Sequence, residues 1–110
     1  MIITSPVPDD FIPPDCYWRA ALHVLAGAFP HDARVWSHID FHNRSIHFDT
    51  MLGDGSFSGG ENIFVECAAA LFNSEFPFPL LDACSRLDET RWGLVMEGVS
   101  ILRSGFDGSR

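Results

Sequence analysis

His38, Asp40 and His42 alternate along the chain, and His47 and Asp49 follow them. This is the strongest candidate for chemistry in the sequence. On an extended strand the first three share one face, and a tight turn with Asn43 as its turn residue would set Asp40 near His47 and His38 near Asp49. Imidazoles beside a carboxylate can ligate zinc or exchange protons at neutral pH, so His38, Asp40, His42 and His47 are candidate metal ligands or acid–base groups. The competing reading is a solvent-facing strand with polar cross-strand pairs, each contributing only ~0.2–1 kcal/mol. No other ligand cluster stands out, so the second reading is favoured and no cofactor is expected.

The segment Phe57-Ser58-Gly59-Gly60-Glu61 also has two readings. It matches the signature loop of ABC-type and chromosome-maintenance ATPases, where Ser-Gly-Gly-Glu opens a helix whose N–H groups hold a phosphate. Such a site needs a phosphate-gripping lysine, and the chain contains neither G-x-x-x-x-G-K-[ST] nor any Lys. The segment therefore reads as a capping box, Ser58 accepting from the Glu61 N–H and Glu61 reaching back to the Ser58 N–H. Phe57 is placed to staple onto Ile63 or Phe64. Cys16, Cys67 and Cys84 lie far apart without C-x-x-C spacing, so neither a zinc knuckle nor a disulfide framework is implied. Buried thiols are expected, with Cys16, near a helix start, the most reactive candidate.

Charge bounds the partners. Fifteen acids against seven bases give a net charge of −8, and every base is Arg. That balance excludes the basic footprint of a direct nucleic-acid binder and suits either solubility or a basic partner. Ten Phe and three Trp in 110 residues exceed what a domain this small commonly needs. Some are expected at a partner or subunit interface, a homodimer included. No apolar run is long enough to span a membrane and no signal peptide is evident, so a cytoplasmic protein is expected.

The elements that must position these residues follow from periodicity. One domain, residues 1–110, is expected, with 1–13 irregular. A helix from Asp15 to Ala28 places Trp18, Ala21, Leu22, Leu25 and Phe29 at helical spacing, and Pro30 closes it. Alternation from Val35 to Phe41, resumed at Ile46 and Phe48, predicts a hairpin. The run from Gly59 to Asn73 is apolar almost all round, broken chiefly by Asn62 and Glu66, so it should be the central helix, covering the hairpin's Val35, Ile39, Phe41, Ile46 and Phe48. Phe76-Pro77-Phe78-Pro79 is a stiff connector to a short helix over Leu80–Leu87. Asp88 can cap a last helix from Glu89 to Arg103, which Gly105 would stop. Gly93 and Gly98 within it should mark close packing.

The pattern Phe48-Asp49-x-x-Leu52, Phe57-Ser58-Gly59-Gly60-Glu61, Ala68-Ala69-Ala70-Leu71-Phe72-Asn73 and Leu87-Asp88-Glu89 resembles a group of small uncharacterised proteins from actinobacteria, their phages and related bacteria. The resemblance covers the second half of the chain, from about Asp40 on, and its motifs concern packing. It implies a shared fold and carries no assigned activity.

The fold class is α+β: an N-terminal helix, a two-stranded antiparallel hairpin and three C-terminal helices. The function is read as a small acidic, non-enzymatic protein-binding domain, a phage or mobile-element inhibitor of a host-defence nuclease complex, either anti-CRISPR-like or a DNA mimic. Its partner would be a larger basic protein, met through Asp82, Asp88, Glu89, Phe76 and Phe78. The alternatives are an immunity protein neutralising a toxin and, in another class, a metal-dependent or His/Asp enzyme on the hairpin face.

Overall fold

The computed structural model describes residues 7–108, apart from the side chains of 107 and 108; the first six residues of the expected irregular segment lie outside it. The chain is mostly helical, with one two-stranded antiparallel hairpin. Helix α1 (Cys16–Ala28) starts where the Asp15 carboxylate accepts the Trp18 N–H at 3.0 Å, so Asp15 is the cap and not the first helical residue. Its buried strip of Trp18, Ala21, Leu22 and Leu25 follows the predicted spacing.

Between residues 31 and 54 the structure departs from the expected long hairpin. Asp32 accepts the Arg34 N–H at 2.9 Å and caps a one-turn helix, α2 (Ala33–Trp36). Val35 and Trp36 are therefore helical, because a strong local cap outcompetes the alternation they share with the strand. The ladder is reduced to β1 (Ile39–Asp40) and β2 (Ser45–Ile46), with Ile39 opposite Ile46 and Asp40 opposite Ser45. In the turn the Asp40 carboxylate takes the Asn43 backbone N–H at 3.0 Å and its side-chain amide at 2.7 Å. With Asn43 held that way, the left-handed residue is Arg44, at φ 57°. Phe48 opens a further helix, α3 (Phe48–Gly53), which the hairpin reading had missed. Buried Phe48 and Met51 lie three residues apart, a helical spacing short enough to be mistaken for strand.

Helix α4 (Gly59–Phe72) begins with the predicted capping box, Glu61 N–H to Ser58 Oγ at 3.2 Å and Ser58 N–H to Glu61 Oε1 at 2.9 Å. Phe57 packs edge-on against Phe29, which itself meets Phe64, so the staple runs through the end of α1. A short α5 (Leu80–Arg86) leads to α6 (Glu89–Gly108), whose start Asp88 caps through the Arg91 N–H at 2.8 Å. Helices α1, α4 and α6 pack on one another and form the centre of the molecule.

Glycine permits that approach at Gly98 and Gly105 among others. A Cβ on Gly98 would lie 2.7 Å from both Leu71 and Val24, and one on Gly105 would collide with Cys16. Gly105 is therefore a packing residue inside α6 and not its stop. Gly93 faces open space, and nothing in the structure explains it.

The aromatic residues expected on one hairpin face under α4 meet different elements. Phe41 packs on Phe11 at 4.9 Å, on Trp18 at 6.4 Å and on Trp36 at 6.3 Å, while Phe48 reaches Phe72 at 5.6 Å and Phe76 at 6.0 Å. Trp18 joins the two groups through Phe72 at 5.6 Å. This aromatic run takes up much of the supply that composition left for an interface. Among the described residues, no helix is long and apolar enough to cross a membrane.

Candidate functional site

The hairpin register decides what the histidines can do. The His38 carbonyl accepts the His47 N–H at 2.9 Å, so His47 lies across from His38, and Asp40 faces Ser45 instead of His47. His38 Nδ1 is 3.0 Å from the Thr50 hydroxyl, and His47 Nε2 is 3.3 Å from the Ser45 hydroxyl. The hydrogen bonds from Asn43 hold the Asp40 carboxyl below the usual carboxylate range, backbone first and side chain second. His42 is exposed at the turn. Among the described residues no group of three or more His, Cys, Asp or Glu side chains could hold a metal ion. The four candidates His38, Asp40, His42 and His47 are thus not brought together, because the shortened ladder shifts every pair on which the site depended.

The start of α4 is closed by its own chain. Arg34 grips Asp32 at 2.6 Å and Glu61 at 3.3 Å, donates to the Ser56 carbonyl at 2.9 Å, and lies over the Phe57 ring at 4.7 Å. The Arg34 side chain lowers the Asp32 pKa, while Glu61 is lowered first by the Ser58 N–H and then by Arg34. Arg34 is raised in turn by both carboxylates. A carboxylate bridged to arginine thus stands where a nucleotide phosphate would approach.

The expected partner residues divide. Asp82, Asp88 and Glu89 are exposed, but Asp88 is engaged at the α6 cap and lies 3.8 Å from the Arg91 guanidinium. Phe76 and Phe78 are half-buried and pack against the core, so neither projects as an anchor; the stiff connector turns both rings inward. The turn is fixed by Asn73, whose side chain accepts the Glu75 N–H at 2.9 Å and whose carbonyl accepts the Phe76 N–H at 3.0 Å.

Phe76 has a different importance, as a shared wall between two clefts. One, of about 430 Å³, includes Phe48, Asp49, Phe72 and Glu75 in its lining. The other, of about 260 Å³, is formed with Leu52, Glu66, Ala69 and Pro77. Three carboxylates line the pair and no arginine does. Glu66 is oriented by the Asn62 amide, which donates to it at 2.7 Å. Such clefts can take a cationic side chain between a carboxylate and an aromatic ring.

Leu80 and Leu81, on α5 just beyond Pro79, are 54% and 80% exposed. From the sequence Asp49 was placed only beside His38, and Glu66, Glu75, Leu80 and Leu81 were not singled out for a surface role. A signal existed for Leu81: Ala83 and Leu87, four residues apart, already form a core-facing strip, and a helix turns 100° between neighbours. Glu66 was visible as the acid in the middle of an apolar helix.

Of the cysteines only Cys67 is fully buried, and burial raises its thiol pKa to about 12. Cys84 is exposed and Cys16 half-buried, which corrects the expectation of three buried thiols.

The chain matches no family model, no curated protein and no solved structure.

Proposed function

We propose that this chain is a small acidic, non-enzymatic binding domain that engages a larger basic protein through the clefts beside Phe76 and the adjoining face of α5. One observation carries the reading: Phe76 separates two clefts that between them present Asp49, Glu75 and Glu66 without a lining arginine. A lysine or arginine from a partner would meet both a carboxylate and a ring there, the arrangement that recurs where cations are recognised at interfaces. Exposed Leu80 and Leu81, which follow the cleft-lining Pro77 in the chain, supply apolar area, and exposed Asp82 and Glu89 supply charge.

The wider proposal is a cytoplasmic inhibitor from a phage or mobile element that occupies a host-defence nuclease complex, in the manner of an anti-CRISPR or a DNA mimic. It is supported by the net charge of −8 and by the acidic clefts, which would compete for basic grooves that normally hold nucleic acid.

The test is DNA cleavage by purified CRISPR effector nucleases with and without the protein. Inhibition should weaken as salt is raised. It should also fall about tenfold in an Asp49→Asn/Glu66→Gln/Glu75→Gln variant, which keeps the side-chain shapes. The Asp82→Asn/Asp88→Asn/Glu89→Gln variant measures the α5 side in the same assay. Inhibition that both variants and high salt leave unchanged would rule out recognition by charge.

A further inference from the structure

A further cavity, of about 400 Å³, lies between the segment leading into α1 and the hairpin turn and shares no lining residue with the two clefts beside Phe76. Three apolar side chains line it: Phe11 and Phe41 meet edge to face at 4.9 Å, and Ile12 is 77% exposed. Its walls carry opposite charges. Asp10 sits in a turn closed by the Phe11 N–H on the Pro8 carbonyl at 3.0 Å, while Arg44 and His42 come from the hairpin turn. Asp10 and Arg44 form no ion pair with each other or with any other described residue, although both line the same cavity.

Arg44 is also the one non-glycine residue among those described with a positive φ, 57°. Glycine or asparagine takes that conformation more easily. The hairpin turn that Asn43 closes on Asp40 accounts for this conformation and sets Arg44 in the lining of the cavity.

A free α-amino acid with a large apolar side chain has the complementary shape and charge. We infer that this cavity binds one: its carboxylate on Arg44 and His42, its ammonium on Asp10, and its side chain on Phe11, Phe41 and Ile12. The volume falls in the range of small-molecule sites, and an ammonium and a carboxylate on one carbon, each met by an opposite charge, would distinguish an amino acid from a simple hydrophobe.

The reporters are built in, since Trp36 stacks on Phe41 at 6.3 Å and Trp18 lies 5.3 Å from Phe11. Titration with L-phenylalanine, under selective tryptophan excitation, should give a saturable emission change in the millimolar range or below. N-acetylphenylalanine lacks the ammonium and phenylalaninamide lacks the carboxylate; each should bind about tenfold more weakly. Arg44→Gly is the decisive variant. It relieves the left-handed backbone, so its melting temperature should hold or rise while affinity falls about tenfold. Asp10→Asn should lose affinity for L-phenylalanine but not for the amine-blocked analogue. The proposal is overturned by no saturable response, by equal binding of all three ligands, or by unchanged affinity in Arg44→Gly.

Discussion

Cys67 and Cys84 carry the same thiol in opposite surroundings, and their reactivity should separate accordingly. Burial in α4 raises the Cys67 pKa to about 12, so almost none of it is thiolate at neutral pH, and no reagent reaches it without local opening. Iodoacetamide followed by mass spectrometry should label exposed Cys84 readily and Cys67 only once the protein unfolds; early labelling of Cys67 would mean that α4 is not central. How far single residues could be read from sequence depended on how near their partners lie. Ser58 and Glu61 were legible because a capping box closes over three residues. Arg34 was not, since its second carboxylate, Glu61, is 27 residues away. The same holds for Glu66: its polarity in an apolar helix was plain, but the cleft it lines also needs Leu52 from α3 and Pro77 from the connector.

Helices with long periodic strips were legible as elements, and so was short α5; short α2 and α3 were not. The apolar face of α1 and nearly all of α4 follow from spacing, whereas α2 depends on the Asp32 side chain and α3 on a three-residue spacing within a stretch that also alternates. The end of α6 was misplaced because Gly105 reads as a stop until Cys16 is seen packed against it. Two predictions belong at this scale. Replacing Ser58 with Ala removes half of the capping box and should lower stability by ~1 kcal/mol in urea denaturation, leaving partner binding per folded molecule intact. Acid should also loosen the α2–α4 junction. Asp32 and Glu61 have folded pKa values below their unfolded ones, so the stability they confer is present above the ordinary carboxylate pKa, about 4, and is lost as pH falls through the lowered values. Arg34→Gln removes the chief cause of the Asp32 shift. Urea midpoints measured down an acid series should therefore fall less steeply in that variant than in the wild type, and an identical slope would remove Arg34 from the account. Asp40, which owes its lowered pKa to Asn43, should keep some acid dependence in both.

Taken whole, the molecule is three mutually packed helices, α1, α4 and α6, with the hairpin, α3 and α5 set around them. Composition foretold the acidity and the supply of aromatic core. It did not foretell that one run of rings would pass through the interior by way of Phe41, Trp18, Phe72, Phe48 and Phe76, or that Leu80 and Leu81 would be among the exposed apolar side chains. A net charge of −8 would draw a basic partner from a distance, but the proposed recognition needs carboxylates set in shaped clefts, and that arrangement exists only once the connector has folded against α3 and α4. The central claim is that these clefts take cationic side chains. A nitrogen–proton NMR titration of the full chain with a nona-arginine peptide tests it most directly. Shifts should centre on Asp49, Glu66, Glu75 and Phe76, fade as salt is added, and disappear in Asp49→Asn/Glu66→Gln/Glu75→Gln. Shifts that lie elsewhere on the surface, or that survive this substitution, would contradict the account.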